Sequence, residues 1–581
     1  MKLPTLITPE LQRRHSALAR IITVVGGLAI IASAYLPWAF GPGALDNMTY
    51  LGGPSTVQLL GAALGVPVAL GASMAWIEPW LDSRDGLAKR IAAVSKRIAW
   101  LRGAKAAATG ALVFIAVVVL AIALELGGLV NVEWGGWIAL LAALAAFAGT
   151  RLMVPGRAPR LHEVKPTGWL EILGIAAMLG IGLLGFAYAL NQNDGGTFVA
   201  VVVCLTALVI VAMRSGIGGW LSLAGQRNRN VLVFSAFAVA FLFPFTQNGS
   251  DANMSIATQV LVFSATAVGL NFVVGLAGLL DLGYIAFLGA GAFTAATMSM
   301  SVYATIGWKP PFIVIMLIAG TVSALLGLLI GTPTLRVSGD YLAIVTLAFG
   351  EIFRISMSNL DGTDGPDLVH GASGIPGIPN LDFFGFNFGQ VHTLFGIPLG
   401  RFSNYFFLML LIMAFIVLVF SRLNYSRIGR GWIAIREDEK AAEAMGVNTF
   451  GLKLLAFASG AFLAGFAGAV KAHVDSSATP EQYIFLESAF LLAAVVLGGM
   501  GTVMGVIVGA TLLKLMPEKL RFLADYRMLL FGLLMVLMMR FRPEGMVPNT
   551  RRQLEFHEED AELAQEVDDE LPYEFVEERA R

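Results

Sequence analysis

Arg436, Glu437, Asp438, Glu439, Lys440 and Glu443 crowd into the stretch AIREDEKAAEAMGV (434–447) of a chain in which only 14% of residues are charged. Carboxylates and cations this close could serve acid–base, metal or phosphate chemistry beside a nucleophile, a metal ligand set or a phosphate cradle. The sequence supplies none of these. GASGIPG (371–377) lacks the Gly-x-Ser-x-Gly spacing of a nucleophile elbow. His15, His162, His370, His392, His473 and His557 are scattered without metal spacing, and the lone Cys204 sits in an apolar run. The dipeptide Gly-Lys, which a phosphate-binding P-loop requires, does not occur. No catalytic site, metal site or cofactor is therefore expected in this chain.

The cluster reads instead as a surface. Alanine and long charged residues favour a helix, and Gly446 is placed to end it as a C-cap. Ile435, Ala442 and Met445, with Ala441 adjacent, fall on one side, and Arg436, Glu437, Glu439, Lys440 and Glu443 on the others. The pattern predicts one short amphipathic helix whose apolar ridge fits a groove in a soluble partner.

A few polar residues remain inside apolar runs: Asp281, Glu351, Arg354, Lys471 and Lys514. An ionisable group at the centre of a membrane helix costs about 2.5–3.5 kcal/mol, so each needs a partner, water or an interfacial position. Glu351 and Arg354 are three apart on one helical face and are expected to pair; with Asn271 they are candidate polar groups beside a passage. Lys471 and Lys514 fall near helix ends and are expected to snorkel. Gly501, Gly505 and Gly509 recur one turn apart, and GLLIG (327–331) and GAFLAG (460–465) repeat the theme, predicting close helix packing. GGMG (498–501) is expected to break a helix.

The elements that must hold these residues are membrane helices. The chain has 581 residues, 57% of them hydrophobic, with a mean hydropathy of +0.74. Runs such as 110–126, 406–420 and 529–539 approach the roughly 20 apolar residues needed to cross a bilayer, giving about sixteen candidate crossings in an all-α polytopic bundle. The run 21–40, which follows Lys2, Arg13, Arg14 and Arg20, is expected to be the first of them, not a cleaved signal. Loop 82–105 carries Arg84, Lys89, Arg90, Lys96, Arg97, Arg102 and Lys105, while 41–54 and 127–133 carry no Lys or Arg. The positive-inside bias then puts both termini and loop 422–451 in the cytoplasm and loop 359–403 outside. Texture divides the chain into an N-terminal transmembrane extension (1–230), a glycine-rich core (231–542) and an acidic tail (543–581). The net charge of −1 gives no basic surface for nucleic acid.

GLNFVVGLAGLLDLGYIAFLGAGAFTAA (269–296), LRVSGDYLAIVTLAFGEIFRI (335–355), GRGWIAIREDEKAAEAMGV (429–447), KLLAFASGAFLAGFAGAV (453–470), VVLGGMGTVMGVIVGA (495–510) and LLFGLLMVLMMRFRPEGMV (529–547) occur in this order. Over about 255–545 the chain resembles LivM-type permease subunits of branched-chain amino acid ABC transporters. The resemblance implies a passage shared with a second, LivH-like permease, two cytoplasmic ATPase subunits that use ATP and Mg, and an extracytoplasmic amino-acid-binding protein, all at the inner membrane. Branched-chain amino acids are the implied substrate; related permeases carry urea or short amides, and an ion-coupled transporter is the other class to test. The resemblance also makes 434–447 similar to an EAA-type coupling helix, with Arg436, Glu437, Glu439, Ala441, Ala442, Glu443 and Gly446 as the ATPase-facing residues. The motif here is EKAAEAMG and not a plain EAA-x3-G. The extension 1–230 has no counterpart in that resemblance.

Overall fold

The computed structural model describes residues 16–39, 55–84, 87–153, 161, 168–192, 195–335, 341–363, 366–383, 385–394, 396–519, 526–541 and 545–547. The acidic tail expected at 543–581 lies outside the described residues apart from 545–547. The chain forms two compact units, 1–253 with 519–522 and 254–518 with 523–581.

Unit 1 contains α1 (Ser16–Ser33), α2 (Thr56–Asp82), α3 (Leu87–Ser95), α4 (Trp100–Leu126), α5 (Trp134–Leu152), α6 (Gly168–Leu190), α7 (Gly195–Ser215), α8 (Ile217–Arg227) and α9 (Arg229–Thr246). α9, which sequence texture groups with the core, packs on α6. The buried core of this unit is built from alanines and aliphatic residues around Trp38 and Phe114. Small side chains let these helices approach closely, the packing that substitutes for a hydrophobic drive within lipid.

Unit 2 contains α10 (Asp251–Asn271), α11 (Ile285–Thr297), α12 (Phe312–Thr334), α13 (Tyr341–Asn359), α14 (Arg401–Asn424), α15 (Arg427–Glu437), α16 (Glu439–Ala444), α17 (Thr449–Asp475), α18 (Phe485–Gly498), α19 (Val503–Lys519) and α20 (Arg527–Phe541). α17 is the central post, flanked by α11 and α12. A Cβ on Gly468 would stand 2.1 Å from the Leu288 carbonyl oxygen, so only glycine permits that approach. Among the described residues, eleven helices are long and apolar enough to cross a bilayer, or twelve if Ile217–Gly225 and Asn230–Thr246 form one bent span.

Among the described residues this is fewer than the expected total of about sixteen crossings. The expected crossing at 283–303 contains a helix of only 13 residues, α11, or about 20 Å at the α-helical rise. An irregular segment precedes it, held by bonds that replace helical ones: the Leu282 N–H donates to Thr346 Oγ1 at 3.1 Å, the Gly283 N–H to Asp281 Oδ1 at 2.9 Å and the Ile285 N–H to Ser488 Oγ at 3.0 Å. Twelve of the thirteen residues of α11 are buried within the chain, so packing against protein accounts for an apolar composition that hydropathy reads as a span. The 359–403 loop adds short strands to an otherwise helical chain. Ile375–Pro376 pairs with Ser477–Ala478, and two small hairpins follow at 382–387 and 392–399. Arg401, the loop's one basic residue, donates to the carbonyls of His473 and Val474 at 2.8 and 2.9 Å, capping the end of α17.

Candidate functional site: a coupling helix tied to two broken helices

Regular α-helical bonding stops at Asn271, and the chain continues as a π turn, Phe272–Leu276. Wide turns of this kind cluster at functional places in helices. Farther along, α18 ends at Gly498 and α19 begins at Val503, with Gly499 and Gly501 at φ of +122° and +80°. The expected break at 498–501 is thus present, made by backbone angles that favour glycine. Asn271 joins the two breaks. Its Oδ1 accepts the Gly501 N–H at 2.9 Å, and it is fully buried. Residues 545–547 close the same corner: the N–H groups of Met546 and Val547 donate to the carbonyls of Leu497 and Gly498, each at 2.9 Å. Gly505 and Gly509 pack backbone to backbone on α18.

The charged stretch 434–447 is two helices, not the single one expected. α15 stops at Glu437, Asp438 turns the chain at φ −153° and ψ 107°, and its carboxylate accepts the Ala441 N–H at 3.0 Å to cap α16. Asp at an N-cap satisfies an orphan donor, so the acid that looked like part of the helix is what divides it. The turn also redistributes the ridge. Ile435 and Ala442 are buried, but Met445 is 84% exposed and Ala441 is exposed with it. Gly446, at φ +83°, ends α16 as anticipated.

α15 grips the π turn at two points. The Trp432 ring meets Phe272 edge-on at 5.8 Å, and its Nε1 donates to the Leu452 carbonyl at 2.7 Å. One turn later, Arg436 Nη1 donates to the Gly275 carbonyl at 3.0 Å, while Nη2 reaches Glu437 at 2.8 Å. Arg436 therefore points inward. Glu439 forms an ion pair with the largely buried Lys453 of α17. Glu437, Lys440, Ala441, Glu443 and Met445 make the outward surface.

The remaining polar residues divide between two places. Arg354 Nε donates to Glu351 at 2.8 Å and its Nη1 to Glu481 at 3.0 Å, an ion triad tying α13 to the turn before α18. Lys471 and Lys514, the two lysines expected to snorkel, line one cavity of about 160 Å³ with Gln259, Phe263, Asp475 and Glu487. Lys471 pairs with Asp475; Lys514 stands 3.8 Å from Glu487 and 5.4 Å from the Phe263 ring. Two cations and two carboxylates thus face one small space whose other walls include Val262, Ile285 and Leu288. Asn271, Glu351 and Arg354 are not among its lining residues. No local pattern announces this cavity, because its residues come from α10, α11, α17, α18, α19 and the turn before α18.

A family model described as branched-chain amino acid transport system / permease component matches residues 252–539. The high-affinity branched-chain amino acid transport system permease protein LivM of Salmonella typhimurium is 40% identical over 338 residues, covering 56% of this chain and 76% of that protein. The chain belongs to this permease family. The Escherichia coli LivM matches with the same identity and coverage. The ribose import permease protein RbsC of Haemophilus influenzae is 29% identical over 284 residues, covering 47% of this chain and 78% of that protein. No solved structure matches. This permease-family chain is a multi-pass membrane protein, and its family segment contains both helix breaks and the α15–α16 pair.

Proposed function

We propose that the chain is a permease subunit of an ATP-driven importer of branched-chain amino acids in the inner membrane. Its partners would be a LivH-like second permease, two cytoplasmic ATPase subunits that bind ATP and Mg, and an extracytoplasmic amino-acid-binding protein. The observation that carries the reading is the double attachment of α15 to the π turn at 272–276. The outward face of α15 and α16, with Glu437, Glu443 and Met445, would sit against an ATPase. Movement there would reach the π turn through Trp432 and Arg436, and the glycine break through Asn271. Two breaks stitched together would supply the elements that shift between the two states of a passage.

The cavity around Lys471, Asp475, Glu487 and Lys514 suits a zwitterion. A carboxylate would face the lysines, an ammonium the acids, and an aliphatic side chain the walls at Val262, Ile285 and Leu288. Urea or a short amide carries no charge to exchange with those pairs, so the arrangement favours an amino acid. The test is uptake of labelled leucine by the complex reconstituted with its partners. Uptake is expected to require ATP, to be competed by isoleucine and valine, and to be indifferent to urea. Loss of uptake on adding an uncoupler at constant ATP, or competition by urea alone, would overturn the proposal.

A further inference from the structure

Unit 1 holds a cleft of about 680 Å³, within the size range of organic-ligand pockets. Four cations gather at one end: Arg102 and Lys105 in the first two turns of α4, Arg151 in the last turn of α5 and Arg214 in the last turn of α7. Elsewhere in this unit, Lys96 is taken up by Asp82 at 2.7 Å and Arg227 by Glu171 at 3.1 Å. Among the described residues no Asp or Glu lines the cleft. The guanidinium of Arg151 rests 4.8 Å from the Phe147 ring.

Away from the charges the lining becomes apolar. Val113 on α4 lies eight residues beyond Lys105, about 12 Å along the helix, and Val203 and Ile210 line the facing side on α7. Thr109 and Thr206 interrupt these walls, but their hydroxyls donate to carbonyls of their own helices, Lys105 and Val202, each at 2.8 Å. The cleft floor is fixed where α4 meets α7, since a Cβ on Gly110 would lie 2.5 Å from that of Ala207. α4, α5 and α7 are each long and apolar enough to span the bilayer. The cleft therefore has a charged end and a greasy end along membrane helices.

We infer that it holds an anionic phospholipid. The phosphate sits among Arg102, Lys105, Arg151 and Arg214, and an acyl chain runs along Val113, Val203 and Ile210. The positive-inside bias puts the charged end at the cytoplasmic leaflet, where basic pockets between spans take up anionic head groups. A soluble anion would use only the charged end and leave the apolar walls without a role.

The full-length chain, purified in a neutral detergent and stripped of lipid, provides the test. Binding is read by native mass spectrometry and by the unfolding temperature, with phosphatidylglycerol, phosphatidylcholine of the same acyl chains, or inorganic phosphate added. Phosphatidylglycerol is expected to bind and to raise the unfolding temperature, and the other two to do neither. Combining Lys105→Gln with Arg214→Gln should weaken phosphatidylglycerol binding about tenfold or more, and Val203→Trp should weaken it with every charge in place. Arg84→Gln, outside the cleft, should leave it unchanged. Equal binding of phosphatidylcholine, a full shift with inorganic phosphate alone, or undiminished phosphatidylglycerol binding in either cleft variant would overturn the inference.

Discussion

The side-chain oxygen of Asn271 accepts the backbone N–H of Gly501 at 2.9 Å, so one amide bridges two places where a helix gives up its regular bonding. The bond is buried and Asn271 Nδ2 makes a longer contact, 3.5 Å, with the Thr502 carbonyl. Asn271→Leu keeps the branched outline of the side chain and leaves the Gly501 N–H without an acceptor, a loss of about 1–3 kcal/mol. The unfolding temperature of the detergent-purified chain should fall accordingly. An unchanged value would mean the two breaks do not depend on this bridge.

Arg436 should matter more for coupling than for insertion. Arg436→Gln removes a charge-assisted bond to the Gly275 carbonyl, of the kind that contributes about 1.5–3 kcal/mol, while α15 stays anchored by buried Trp432. Substrate-stimulated ATP hydrolysis in the reconstituted complex is expected to drop several-fold with normal amounts of assembled complex. Stimulation equal to wild type would remove Arg436 from the transmission route.

Charge reversal separates the acids of the coupling region. Glu443 is exposed, so Glu443→Lys should weaken ATPase assembly without destabilising the chain. Glu439 is tied to Lys453, so Glu439→Lys sets two cations together and should lower the unfolding temperature even without partners. Thermal unfolding of the isolated chain and co-purification of the ATPase distinguish the two; identical behaviour of both variants would contradict the assignment.

Gly509 tests the packing of α18 on α19. A Cβ there would stand 2.2 Å from the Ala494 carbonyl oxygen, a clash with backbone that no rotamer relieves. Gly509→Ala is expected to cost about 1–3 kcal/mol, read as a lower unfolding temperature. A neutral result would mean the two helices have room to separate.

Lipid made much of this fold legible. A span must be long, apolar and helical, so hydropathy locates most helices, and the glycines at 498–501 announce their break. The pairing of Glu351 with Arg354 follows from helical spacing alone. Hydropathy is ambiguous at α11, where burial in protein and burial in lipid leave the same composition. Asp438 carried a readable signal, an N-cap residue before EKAA, but strong helix formers on both sides masked it. The π turn at 272–276 and the cavity lined by Lys471 and Lys514 depend on distant segments, Arg436 and Gly501 for the first and several helices for the second. No window of sequence contains them.

Trp432 and Arg436 are four residues apart, and both reach the π turn from one rigid helical turn. A single attachment would leave α15 free to swivel like a ball joint. Two attachments one turn apart make it a lever with a fixed bearing, so torque about the helix axis reaches Phe272 and Gly275 along with any thrust. Asp438, just beyond the second attachment, is the elbow at which a handle of six residues, α16, joins that lever.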